Sequence, residues 1–288
     1  MRGRGAVAAL YVLVCLIWGS TWLVIKIGLD GVPPFLGACL RFSLASVVLF
    51  ALIAARGGSA AVDAQGRKAV WSCGVLSFTF SYAAVYWAEQ YVSSGVTAVL
   101  YCLTPLLVAL LSRFWTRSET LGPRKLAGIA VGMAGTVVLF WPTGEFSTLQ
   151  RAGMVAALVS VAISAFNLVV VKKYARHTDV FALNAWAMAI GAVGLSLLHA
   201  AFERGAVVSW TPANASAVVY LALVGSVTAF LSYFHLIKVM EATKLSLITL
   251  IFPIVAVVLG RVFLGELTEP RMWAGMATIL AGVALALK

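Results

Sequence analysis

LYCLTPLLVALLSRFWTRSETLGPRKLAGIAVGMAGTVVLF, residues 100–140, decides how this chain is built, because much of it is written a second time. The first copy carries Pro105, Arg113 eight residues on, then Glu119, Gly128 and Gly135. The second carries Pro253, Arg261 eight residues on, then Glu266, Gly275 and Gly282. Only the Arg-to-Glu gap differs, by one residue. Each copy is an apolar run broken by a proline, a charged turn, and a second apolar run with spaced glycines. Two copies of one long unit imply a duplicated fold.

The composition says where that fold resides. The chain has 288 residues, of which 62% are hydrophobic and 11% charged, with a mean hydropathy of +1.01. A soluble domain carries about 25% charged residues. The apolar runs are about 20 residues long, not alternating strands of about ten, so the class is an all-α integral membrane protein. The net charge of +11 sits in short turns between those runs, where the positive-inside rule puts it. No basic patch with interleaved aromatics marks a nucleic-acid partner; the partners expected are a small-molecule substrate and the lipid bilayer. Cys15, Cys39, Cys73 and Cys102 all fall inside apolar runs with no metal-ligand spacing, so they read as small packing residues, and no metal or other cofactor is expected. The basic start Met1-Arg2-Gly3-Arg4-Gly5 precedes an apolar stretch that continues to Ile27 without a small-residue cleavage site, which predicts a retained first span.

Ten spans can be drawn, over residues 5–27, 34–55, 69–90, 93–113, 123–141, 151–171, 180–202, 213–237, 243–264 and 271–287. With both termini on one side, that side holds 15 Lys and Arg against 5 on the other, with Arg41 inside a span, which predicts cytoplasmic termini. Five spans is an odd number, so the second unit enters the membrane from the opposite face. The expected organisation is a first repeat over 1–141, an external linker over 142–150 and a second repeat over 151–288. Inverted repeats are the usual architecture of secondary transporters, with substrate bound near the midplane between halves.

The residue pattern also resembles a known family. Ile17-Trp18-Gly19-Ser20-Thr21-Trp22 in the first span, Arg41-Phe42 in the second, and the two Pro…Arg…Glu…Gly…Gly units together resemble the EamA domains of the drug/metabolite transporter superfamily. The resemblance covers nearly the whole chain. It implies a ten-helix, alternating-access exporter of small metabolites such as amino acids, located as a multi-pass protein in the bacterial cytoplasmic (inner) membrane. Among such exporters the chain looks most similar to those for aromatic amino acids.

The residues that would carry transport follow from the spans. Pro105 and Pro253 each leave the carbonyl four residues earlier, on Tyr101 and Thr249, without its helical donor. They are candidate hinges, with a static kink as the alternative. In span three, Thr79, Tyr82, Tyr86 and Glu89 lie three, four and three residues apart, which puts them on one side of an α-helix. Span eight shows a matching stretch in Phe230, Tyr233, Phe234 and His235. Rings with a few polar tips suit an apolar or aromatic ligand. An interfacial aromatic belt is the alternative, and it fits Trp115, Trp141, Trp210 and Trp273. By symmetry, Trp18, Ser20, Thr21 and Trp22 of span one would face Ser164 and Asn167 of span six. Asn167, an amide in hydrocarbon, must bond something, either ligand or a neighbouring helix. Tyr101 and Trp186 complete the lining candidates.

Charge inside the spans is scarce. Arg41 has three readings: it snorkels, pairs with a carbonyl, or holds a substrate carboxylate. Lys26 reads as a snorkelling anchor. No Asp or Glu falls in mid-span, which favours a facilitator over a proton-coupled carrier, with His235 the alternative proton site. The glycine spacings, Gly128-xxx-Gly132 with Gly135, and Gly275 with Gly282, predict close helix packing within a monomer, or a homodimer face. A sugar-phosphate or nucleotide-sugar carrier would want several converging cations, and only Arg41 is clearly available. A membrane enzyme finds no HExxH, GxSxG or paired intramembrane carboxylates.

Overall fold

A computed structural model describes residues 2–111, 113–114, 122–140, 146–175, 177–239, 248–266 and 269–287. Among these the chain is helical, with no strand. Helices α1 and α2 span Arg2–Gly28 and Pro34–Ala55. Helix α3 runs over Ala64–Trp71, widens into π-helix at Ser72–Ser81 and finishes as Tyr82–Ala88. Helix α4 comprises Ser94–Tyr101 and Thr104–Leu111, parted by a turn. Then come α5 Pro123–Phe140, α6 Thr148–Tyr174 and α7 Val180–Phe202. Helix α8 runs over Pro212–Ala222, is π-helical at Leu223–Thr228 and continues as Ala229–Val239. Ile248–Leu264 forms α9 and Pro270–Leu287 forms α10. Among the described residues seven helices are long and apolar enough to cross a membrane, from α1 to α4 and from α6 to α8. The protein is a multi-pass helical membrane protein. Glu119, Trp115 and Trp141, and the side chains of Phe234 and Thr249, lie outside what is described.

Several helices begin beyond the apolar runs because their capping residues lie there. Asp63 accepts from the amide of Gly66 and starts α3 at Ala64, while Asp179 accepts from that of Ala182 and caps α7 at its expected start. Ser147 and Gln150 form a reciprocal box, so α6 starts at Thr148, inside the stretch expected as linker. Other ends are satisfied by side chains from distant helices. Glu203 accepts from the amides of Phe35 and Leu36 at the start of α2, at 2.8 and 3.2 Å. Glu266 accepts from the Ser94 amide and hydroxyl at the start of α4, at 2.8 and 2.9 Å. Lys26 corrects an expectation: its ammonium turns inward and donates to the carbonyls of Glu89 and Val92 at the end of α3. Snorkelling would leave those carbonyls orphaned, and here the lysine satisfies them.

The two prolines behave differently. At Pro105 the helix breaks, and the Thr104 hydroxyl donates to the freed Tyr101 carbonyl at 2.7 Å. Pro253 sits inside an uninterrupted α9. The glycines bring α5 and α10 of this one chain into backbone contact. A Cβ on Gly135 would fall 2.7 Å from the Ile279 nitrogen and 2.9 Å from the Gly275 carbonyl oxygen. One on Gly282 would fall 2.6 Å from the Gly128 carbonyl oxygen.

Backbone cannot rotate aside as a side chain can. Gly282→Val is therefore expected to cost about 1–3 kcal/mol, read as a lowered melting temperature in detergent. Gly5→Ala, where nothing lies within 4 Å, does not lower it.

Candidate functional site: rings around a buried guanidinium

The two π-helical stretches shape the centre. A π-turn widens the helix and alters its register, and here hydroxyls five residues on take carbonyls of the wide turn. Thr79 donates to Gly74 at 2.9 Å in α3, and Ser226 donates to Leu221 at 2.9 Å in α8. Ser226 then has a lone pair free, which accepts from Arg41 Nε at 3.0 Å. Arg41 is only 2% exposed, so it does not snorkel. Its guanidinium carbon lies 5.0 Å from the Tyr82 ring centre and 5.2 Å from that of Phe42. The ring faces offset part of the desolvation of the buried cation.

Rings radiate from this cation. Phe42 meets Tyr82 at 4.7 Å and Phe78 at 4.8 Å, centre to centre. Tyr82 continues to Tyr86 at 6.5 Å. Phe78 reaches Phe230 of α8 at 6.1 Å, so the aromatic faces of α3 and α8 do meet. Trp18 of α1 closes the group on Phe230 at 5.8 Å and Tyr233 at 4.8 Å. A second set joins Trp22 to Tyr101 at 4.9 Å and to Phe252 at 6.1 Å. Among the predicted site residues, Trp18, Tyr82, Tyr86 and Tyr233 are thus in the first assembly and Tyr101 in the second.

The others are placed elsewhere. Thr79 faces α7, where a Cβ on Gly194 would lie 2.6 Å from its Cγ2. Its shared face with Tyr82 assumed an α-helix throughout, and the π-stretch removes that register. Thr21 returns its hydroxyl to the Trp18 carbonyl at 2.7 Å. Asn167 accepts from Ser72 at 2.8 Å and donates to the Cys73 sulfur at 3.4 Å, gluing α6 to α3. Trp186 is 45% exposed, meets Phe50 edge-on and donates to the Ala60 carbonyl, so it fastens the loop before α3. The side chain of His235 is exposed, apart from the rings. The expected facing of α1 and α6 is replaced by cross-pairing: α1 meets α8 and α9, while α6 meets α3 and α4. A hydroxyl cluster makes the second pairing. Ser81 bonds Ser160 at 2.6 Å and Ser164 at 2.8 Å, and Tyr101 bonds Ser160 at 2.5 Å.

Two features escaped the sequence. Ser226 gave no signal as the partner of Arg41. Glu89 falls at a span end in the sequence, yet its side chain is fully buried, and neither carboxylate oxygen has a hydrogen-bond partner. A cavity of about 500 Å³ opens nearby, lined by Val32, Phe35, Trp87, Gln90, Tyr91 and Glu203 among others. Among the described residues no three His, Cys, Asp or Glu side chains gather as metal ligands do.

Ser226→Ala would leave Arg41 Nε without its acceptor. The expected loss is about 1–3 kcal/mol of stability, seen as a lower melting temperature. Ser216→Ala, whose exposed hydroxyl bonds only within α8, is the silent control.

The geometry agrees with what comparison finds. A model of the EamA-like transporter family matches twice, over residues 5–141 and 151–288. The uncharacterized inner membrane transporter YedA of Escherichia coli K12 is 32% identical over 286 residues, covering 98% of this chain and 89% of that protein. The uncharacterized transporter YoaV of Bacillus subtilis is 26% identical over 273 residues, covering 94% and 92%. A solved crystal structure superposes with a TM-score of 0.68 at 24% identity, covering 99% of this chain and 97% of its own, and so shares the fold. The chain belongs to the EamA-like transporter family.

Proposed function

We propose that this transporter exports small metabolites, amino acids with aromatic or other apolar side chains, across the cytoplasmic membrane by alternating access. The observation that carries the reading is the connected ring assembly of Trp18, Phe42, Phe78, Tyr82 and Phe230, in which Phe42 and Tyr82 lie over one buried cation. Rings give an apolar side chain contact area on several faces, and the cation fixes the polar end. A sugar phosphate would require more positive charge than the single guanidinium in this assembly provides.

The proposed frame is ten spans in two inverted five-helix repeats, with cytoplasmic termini. Its support is the pairing of elements. Shifting the first copy by the 148 residues between Pro105 and Pro253 lays the π-stretch of α3 over that of α8. The pairs α1 with α8 and α6 with α3 then exchange under the same shift, while α5 pairs with its own copy, α10. Substrate moves down its gradient as the halves rock about the rings, with Pro105 and Pro253 as hinges.

Efflux of labelled amino acids from proteoliposomes tests this. Wild-type protein is expected to release phenylalanine, tryptophan and leucine faster than empty liposomes. Tyr82→Ala lowers that efflux at least about tenfold, the scale of a lost aromatic anchor. Trp186→Ala leaves it within about twofold. Wild-type rates equal to those of empty liposomes for every amino acid would refute the substrate class.

A further inference from the structure

Among the described residues, five buried side-chain nitrogen or oxygen atoms have no hydrogen-bond partner. Four of them belong to three neighbouring residues: Arg41 Nη1, Tyr86 Oη, and both carboxylate oxygens of Glu89. Orphaned buried polar atoms are rare, and each is costly, more so when charged. Four together, on side chains between 0 and 2% exposed, need a common explanation.

The three residues face one another. Arg41 lies over the Tyr82 ring, and its charge reaches both Tyr86 and Glu89. Arg41 and the Tyr86 hydroxyl approach each other without reaching full hydrogen-bond geometry, and neither carboxylate oxygen of Glu89 has a partner. Tyr82, Tyr86 and Glu89 climb one face of α3, so Glu89 stands about 4–11 Å beyond the two tyrosines at 1.5 Å per residue. The other charges near Glu89 are already engaged. Lys26 donates to backbone carbonyls of Glu89 and Val92, and Glu266 accepts from the start of α4. What remains is one guanidinium, tied at Nε to Ser226 but with Nη1 unpartnered, and one carboxylate with neither oxygen partnered, beside an aromatic wall.

We propose that this trio recognises the charged end of an α-amino acid zwitterion. The Arg41 Nη1 group donates to the ligand carboxylate, the Glu89 carboxylate accepts from the ligand ammonium, and the Tyr86 hydroxyl bonds the carboxylate beside Arg41. This rests on the amino-acid reading above and deepens it by naming the groups that read the backbone of the ligand. The charge balance selects the class. A dipolar ligand leaves the site neutral, whereas an anion strands Glu89 and a simple amine strands Arg41, each at the cost of a buried unpaired charge. Two charge-assisted hydrogen bonds of about 2.8 Å, plus two charged groups borne by one carbon, span the gap along α3. The ligand side chain then lies along Tyr82, Phe78, Phe230 and Trp18.

An analogue series on the wild-type protein is the test, because it needs no variant to fold. Efflux from proteoliposomes is compared for phenylalanine, 3-phenylpropionate, which lacks the amine, and phenethylamine, which lacks the carboxylate. Phenylalanine is expected to exceed both by at least about tenfold, since a site built to bond a polar group rejects the analogue lacking it. The isosteric Glu89→Gln is expected to lose phenylalanine efflux at least about tenfold and to bring its ratio to 3-phenylpropionate towards one. Wild-type rates for the three compounds within about threefold of one another overturn the proposal while leaving aromatic transport standing. So does a Glu89→Gln protein that keeps the wild-type ratio. If no amino acid moves at all, the transport reading fails and takes this inference with it.

Discussion

A cation held away from water is the constraint on which the centre of this protein depends. The guanidinium of Arg41 needs acceptors and polarisable faces from several helices at once. Helix α8 supplies Ser226, and α3 supplies the face of Tyr82. The Ser226 hydroxyl can accept because its own proton goes to Leu221, a bond made across the π-turn. The wide turn is thus what presents the acceptor, and it explains why a strained helix form sits in the core. The ring contacts that follow, from Phe42 through Phe78 to Phe230 and Trp18, join α2, α3, α8 and α1 around that one charge.

The same rule, that no backbone group stays unpaired in an apolar medium, organises the helix ends. Glu203 closes α2, Glu266 closes α4, and Lys26 closes α3, each from a distant part of the chain. Charged residues at span ends therefore serve as tertiary ties as well as membrane-surface groups. They also leave Glu89 conspicuous, since its backbone carbonyl is satisfied by Lys26 while its own carboxylate is not.

Much of this was legible in the sequence, for stated physical reasons. Long apolar runs predict spans because hydrocarbon thickness sets helix length. The spaced glycines predict a close crossing, which α5 and α10 make. The aromatic stretches of spans three and eight are legible as a matching pair, whereas their direct contact through Phe78 and Phe230 comes from tertiary packing. What failed did so through register and partner choice. A spacing of three and four residues places Thr79 beside Tyr82 only in an α-helix, and the π-stretch turns it towards α7 instead. Trp186 and Asn167 carry no mark in the sequence that separates ligand contact from helix glue; their partners, Ala60, Ser72 and Cys73, are set by tertiary packing. The spacing places Glu89 at a span end on the tyrosine face, but does not show its full burial, which depends on the neighbouring helices.

The most direct measurement is a structure of the transporter with phenylalanine bound. The account predicts density for the ligand ring against Tyr82 and Phe230, with its carboxylate at Arg41 and its ammonium at Glu89. Ligand bound elsewhere, with the rings still closed on an empty Arg41, would contradict it.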